Sequence, residues 1–281
     1  MRALFAFLTA AAVLTSASPA VGAGNPEAVE IPQKEGGGRL KAMLFRPDGP
    51  GPFPAVVGLH NCTGLYNRAG EFGTRYRDWG ERLAKGGFVV LLPDSHGSRG
   101  AGSQCALRSR SIRNDRERVA DADAARAWLQ SQSWVAPDRV SLLGWSSGAI
   151  AALWAVRARP QPQGKDGADF RSAVALYPGC RRLSNAAWSA RVPTLILIGR
   201  ADDQASAATC QQMAAGARGR SARLEIHVYP GAHHDFDHPN RPLQLRTGLA
   251  FSVDGTGRVH SGTNPAARAD AIKRVPGWFN R

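Results

Sequence analysis

The stretch Arg139-Val-Ser-Leu-Leu-Gly-Trp-Ser-Ser-Gly-Ala-Ile-Ala-Ala-Leu-Trp-Ala155 decides the fold. An apolar run of strand length leads into Gly144-Trp145-Ser146-Ser147-Gly148, and a run of helix-forming residues leads out. A buried strand that reverses sharply into a helix tolerates only small neighbours at the turn, and it stands the central side chain clear of the sheet edge. The spacing therefore predicts a nucleophile elbow with Ser146 at its apex. The plainer alternative is a Gly/Ser-rich strand-to-helix turn without chemistry, and the motif alone does not separate the two.

Working outward, the chain alternates short apolar runs with helical spacing. Val29-Glu-Ile31 and Leu40 to Phe45, separated by Gly36-Gly-Gly38, predict an antiparallel hairpin. Pro54 to Leu59, Phe88 to Leu92, the elbow strand, Ala173 to Tyr177, Thr194 to Ile198 and Leu224 to Tyr229 predict six further strands. Helices are expected through Tyr76, Trp79 and Leu83, over 115–132, after the elbow, over about 204–217 and over about 265–279. Gln161 to Gly167 is expected to be a surface loop. Continuous apolar strands joined by helices imply a mostly parallel eight-stranded sheet, opened by the hairpin and covered by helices on both faces.

In such sheets the ligand site lies beyond the carboxyl ends of the strands, and every polar cluster of note falls there. His60-Asn61-Cys62-Thr63-Gly64 follows the third strand, Asp94-Ser-His96 the fourth, Ser146 the fifth, Tyr177-Pro-Gly-Cys180 the sixth, Asp202-Asp203 the seventh, and His233-His234-Asp235-Phe236 the eighth. A serine hydroxyl needs a base to take its proton, and the base needs a carboxylate to hold its tautomer. The order serine, acid, histidine along the chain is that of an α/β-hydrolase. The acid position, three residues past Gly199, selects Asp202 over Asp203, and the His-x-Phe pattern selects His234 over His233. The remaining histidines, His60, His96, His227, His238 and His260, have no metal-ligand spacing, and no metal or organic cofactor is expected.

Taken together, Leu59–Leu65, Leu92–Gly100, the elbow, Leu176–Cys180, Leu197–Asp203 and Tyr229–Asp237 resemble the dienelactone hydrolase family of α/β-hydrolases over nearly the whole chain. The resemblance implies an oxyanion hole made by the backbone N–H groups of Cys62 and Ser147. It also places Arg99 in a loop bordering the pocket, where it would bind a substrate carboxylate or brace the loop. His60, Asn61 and Trp145 join Arg99 as candidate substrate contacts. The archetypal members carry cysteine at the elbow and glutamate in the loop after the third strand. Ser146 and Asn61 stand in those places here, which favours a serine esterase acting on small esters, lactones or thioesters. A small peptidase related to prolyl oligopeptidases is the competing enzyme, and a non-catalytic binding module on the same fold is the competing non-enzyme.

Met1-Arg2, the uncharged run Ala3 to Leu14 and the small residues up to Ala23 have the order of a secretory signal, cleaved after Ala23 or after Ala20. Residues 24–281 are then one α/β-hydrolase domain, secreted, with a bacterial periplasm as the fitting compartment. No other stretch approaches the roughly 20 apolar residues of a membrane helix, so no stable membrane insertion is expected. The chain has a formal charge of +14, with Arg108, Arg110, Arg113, Arg116 and Arg118 crowded together. Acidic residues are interleaved and aromatics are absent there, which speaks for a solvated basic face and attraction of an anionic small-molecule substrate rather than nucleic acid. Oligomeric state is left open.

Four cysteines in an exported chain read as two disulfides. Cys62 with Cys105 and Cys180 with Cys210 are the expected pairs, because each joins the segments that follow two adjacent strands at one end of the sheet.

Overall fold

A computed structural model describes residues 26–33, 38–158 and 168–281. The segment expected to be a secretory signal, 1–23, and the expected loop at 161–167 lie outside the described residues, as do Gly36 and Gly37.

Eight strands form the central sheet: β1 (Glu27–Pro32), β2 (Arg39–Phe45), β3 (Phe53–Leu59), β4 (Val89–Pro93), β5 (Val135–Trp145), β6 (Ala173–Leu176), β7 (Thr194–Gly199) and β8 (Leu224–Tyr229). Their spatial order is β1-β2-β4-β3-β5-β6-β7-β8. The first two strands pair antiparallel, β2 pairs antiparallel with β4, and all later neighbours are parallel. The chain moves outward from β3 to β4 and returns to β5, so the crevice between the ends of β3 and β5 is the switch point where such sheets bind ligands. The central strands are buried along their length, β4, β6 and β7 at every residue. That is why they read as unbroken apolar runs rather than as alternation.

The helices are α1 (Thr74–Lys85), α2 (Glu117–Gln130), α3 (Ser147–Ala155), α4 (Arg181–Asn185), α5 (Ala207–Gly216) and α6 (Pro265–Phe279). Two begin on side-chain caps: Ser206 Oγ accepts from Thr209 N–H at 3.2 Å, and Asn264 Oδ1 accepts from Ala267 N–H at 3.0 Å. None of the helices among the described residues is long and apolar enough to cross a membrane.

Two features were not anticipated. The segment after Cys180, to which no element was assigned, contains the short helix α4. Strands β9 (Gln244–Arg246) and β10 (Val259–Ser261) form a small antiparallel ribbon apart from the main sheet. Three-residue strands carry too few residues for a period-two pattern, so the ribbon had no sequence signal. It matters for the site because Ser261 bridges to His234 and Gly262 N–H donates to the His234 carbonyl at 3.0 Å.

Candidate active site

Strand β5 delivers Ser146 into a backbone conformation of φ 53°, ψ −114°. Such a conformation costs of order 1–3 kcal/mol for a residue with a side chain and persists only where the surroundings enforce it. Two glycines do so. A Cβ on Gly148 would lie 1.9 Å from the Leu59 carbonyl oxygen, and one on Gly144 would lie 2.4 Å from the Gly148 carbonyl oxygen. The turn can close against β3 only with hydrogen at both positions.

The loops after β7 and β8 bring two further side chains to the serine. His234 Nε2 lies 2.9 Å from Ser146 Oγ, and His234 Nδ1 lies 2.8 Å from Asp202 Oδ2. Because an ionised carboxylate can only accept, Nδ1 carries the proton and Nε2 is left to accept from the serine hydroxyl. Asp202 is held from behind: its Oδ1 accepts from the N–H groups of Gln204 at 2.9 Å and Ala205 at 2.8 Å. All three side chains are buried. Burial works against charge on His234, but the Asp202 carboxylate and its hydrogen bond outweigh it, and the imidazole pKa is raised above the ordinary 6.5.

The alternatives weighed in the same loops turn elsewhere. Asp203 accepts from His260 Nδ1 at 2.7 Å, and the His233 ring packs 5.5 Å from that of His260. Both predicted disulfides are present, Cys62–Cys105 with Cα atoms 5.0 Å apart and Cys180–Cys210 with Cα atoms 5.1 Å apart, and no cysteine among the described residues is free.

Ser147 is the first residue of α3, so its N–H has no partner within the helix. Cys62 lies at the other wall of the crevice, on the loop after β3, tied down by its disulfide and by Gln104 N–H donating to its carbonyl at 2.8 Å. Between these two segments runs a buried side chain that sequence reading had assigned to a basic surface face. Arg118, fully buried, donates to Ser147 Oγ at 3.1 Å and to the His60 carbonyl. Burial lowers its pKa to about 10, which leaves it charged at neutral pH.

Three of the four expected substrate contacts take structural places instead. His60 is fully buried, with Nδ1 donating to the Asn61 carbonyl at 2.8 Å and its ring 4.5 Å from that of His96; burial, then Arg118, holds its pKa well below 6.5. Trp145 is also fully buried and donates its indole N–H to Asp237 Oδ2 at 2.8 Å. Arg99 makes a two-pronged pair with Asp121 at 2.8 and 2.7 Å, which is the loop-bracing alternative. Asn61 does line a cavity, while its Oδ1 accepts from Thr63 N–H at 2.9 Å.

A second group missed from sequence lies under the base loop. Asp237 is fully buried and accepts from Trp79 Nε1 at 2.7 Å, Trp145 Nε1 at 2.8 Å and the Tyr177 hydroxyl at 2.5 Å. Arg75 Nε is 3.5 Å from the same carboxylate, and Arg75 pairs with Asp235 at 2.6 Å. Tyr177 in turn packs its ring 4.6 Å from His234. The run His-Asp-Phe-Asp gave the only available signal, an unusual density of acid beside a histidine.

Two adjoining cavities, of 420 and 190 Å³, share Thr63, Gly64, Leu65, Tyr66 and Asn67 of the segment that follows Cys62. Neither is lined by Ser146 or His234. Ser146, His234 and Asp202 form a hydrogen-bonded chain outside the lining of both cavities.

Comparison with known proteins agrees with this architecture. Residues 40–281 match the family model described as "Dienelactone hydrolase family". A curated protein of Methylorubrum extorquens, named "Putative carboxymethylenebutenolidase", is 27% identical over 226 residues, covering 76% of this chain and 73% of that one. A Bradyrhizobium protein named "Probable 2-oxo-3-(5-oxofuran-2-ylidene)propanoate lactonase" is 33% identical over 123 residues, which span 41% of this chain and less than half, 46%, of the relative. Among solved structures, "Putative Dienelactone Hydrolase" from Klebsiella pneumoniae superposes with a TM-score of 0.66 over 92% of this chain and 99% of that one, at 20% identity, a likeness of fold.

Proposed function

The chain belongs to the dienelactone hydrolase family, and on that footing we propose that it is a serine hydrolase cleaving small esters, lactones or thioesters through an acyl-serine intermediate. The observation that carries the proposal is the continuous chain from Ser146 Oγ through the His234 ring to Asp202, at 2.9 and 2.8 Å.

In the proposed reaction Ser146 Oγ attacks the acyl carbon while its proton passes to His234 Nε2. Negative charge then develops on the former carbonyl oxygen, where the N–H groups of Cys62 and Ser147 hold it; in a buried site one such donor is worth about 3 to 4 kcal/mol. Collapse returns the proton from His234 to the leaving oxygen or sulfur, and the acyl group stays on Ser146. Water then attacks with His234 again as base, releasing the acid and restoring the hydroxyl. Asp202 stays ionised and stabilises the imidazolium in both halves. Ser146 in place of the archetypal cysteine supports ester chemistry, and no metal or organic cofactor is invoked.

We place the protein in an oxidising compartment outside the cytoplasm, in keeping with its two disulfides. The test of the activity compares kcat/KM for short p-nitrophenyl esters and simple lactones with that for peptide amides. Ester or lactone turnover that is lost in Ser146→Ala supports the proposal; turnover of amides alone would replace it with a peptidase.

A further inference from the structure

Asp203 and His233 each adjoin a triad position, and both face away from Ser146 towards His260 on β10. The Asp203 carboxylate accepts from His260 Nδ1 at 2.7 Å and from the His260 backbone N–H at 2.8 Å. One donor atom from each of Asp203, His233 and His260 lies within 4.8 Å of the other two. We propose that these three side chains form a binding site for a divalent transition-metal ion of the zinc class, separate from the triad and independent of the reading of its chemistry.

The donor set selects the ion. Two imidazoles and one carboxylate suit zinc, nickel or copper, whereas magnesium and calcium prefer shells built wholly of oxygen. Bonds of about 2.0 to 2.1 Å in a tetrahedral array put ligand atoms roughly 3.3 Å apart, so donor atoms within 4.8 Å of one another would close by at most about 1.5 Å, within reach of rotating side chains. The ion would replace the proton now shared by Asp203 and His260. His233 Nδ1 is buried and has no hydrogen-bond partner among the described residues. Asp203 and His260 are partly open to solvent, which gives an entry path and leaves a coordination position for water.

The three backbones that carry these donors are already fixed to one another. Val253 N–H donates to the Asp203 carbonyl at 2.7 Å, Gly262 N–H to the His234 carbonyl at 3.0 Å, and His260 pairs with Leu245 in the ribbon. Little ordering remains to oppose binding. An ion here would tie the acid loop, the base loop and the ribbon together. Sequence spacing could not disclose it, because the ligands stand 30 and 27 positions apart and no helix or hairpin sets their register.

The experiment uses the full chain with any affinity tag removed, stripped with chelator and dialysed. Calorimetric titration and thermal unfolding are followed with zinc and nickel chloride, with magnesium chloride as the control. The expected result is one ion per chain and, at hundredfold excess over the dissociation constant, a rise in Tm of about 5 °C or more. His260→Ala should lose both signals while keeping the parent circular-dichroism spectrum and, in metal-free buffer, its ester hydrolysis. His233→Asn should weaken binding at least tenfold. An absence of binding by the parent, or an unchanged stoichiometry and Tm shift in His260→Ala, would overturn the proposal.

Discussion

The indole of Trp145 donates to Asp237 Oδ2 at 2.8 Å, and so joins the residue before Ser146 to the residue three past His234. One buried carboxylate thereby fixes the elbow strand against the base loop. Trp79 from α1 and Tyr177 from the end of β6 donate to the same group. The separation of Ser146 and His234 is set by this hub as much as by the sheet.

Asp237→Ala strands three buried donors at once. Each unsatisfied donor costs about 1 to 3 kcal/mol, so the loss of stability should reach at least about 3 kcal/mol in urea unfolding. Asp237→Asn, which keeps one acceptor oxygen, should lose less and retain more kcat. Equal effects of the two substitutions would show that the carboxylate is not the organising element.

Arg118 spans the two walls of the proposed oxyanion site by donating to Ser147 Oγ and to the His60 carbonyl. Replacing it with methionine keeps much of the packed stem but removes both ties. The expected outcome is a fall in kcat of about tenfold to a hundredfold with a smaller change in KM, as for a group that acts chiefly in the transition state. A kcat within twofold of the parent, in folded protein, would leave Arg118 a purely structural part.

In the proposed mechanism the acid limb of kcat/KM follows His234, whose neutral form accepts the serine proton. Its pKa is raised above 6.5 because the Asp202 pair outweighs the opposing effect of burial, so activity should fall as pH drops through a midpoint above 6.5. The linkage to stability has the opposite sense. A raised folded pKa favours the protonated fold, so this histidine's contribution is complete below 6.5 and is lost as pH rises through the folded value. Asp202→Asn should move the activity midpoint downward besides reducing the rate; a midpoint that stays put would mean that another group titrates.

The Cys62–Cys105 bridge closes a sequence separation of 43, which constrains the unfolded chain by about 4 kcal/mol in the entropy model. It also holds the loop that carries the Cys62 N–H. The double variant Cys62→Ala, Cys105→Ala should therefore lose both about 10 °C of Tm and a large part of kcat. Removing Cys180–Cys210 should cost similar stability with less effect on kcat. The reverse order for kcat would argue against an oxyanion role for the Cys62 loop.

The parts of this molecule that were legible in its sequence are those written in local pattern. Apolar runs gave the eight strands, and turn residues beyond their ends gave Ser146, Asp202 and His234, which the fold brings within hydrogen-bonding distance. The parts that were not legible are contacts between distant segments. Arg118 looked like one member of an exposed basic helix face, because burial of one arginine among five is decided by what α2 packs against. Trp145 and His60 are candidate substrate contacts in the sequence, but a residue beside a strand end can point into the core as readily as out of it. For Arg99 the sequence allows two uses, and it is the contact with Asp121, 22 positions away, that decides between them.

The central claim is that Ser146, activated by His234, becomes covalently acylated. The most direct measurement is the intact mass and peptide map of the protein after brief treatment with a fluorophosphonate. The account predicts one adduct per chain, on Ser146, with complete loss of esterase activity, no adduct in Ser146→Ala and greatly slowed labelling in His234→Ala. An unlabelled Ser146 in folded, ester-hydrolysing protein, or hydrolysis by Ser146→Ala within tenfold of the parent, would contradict it.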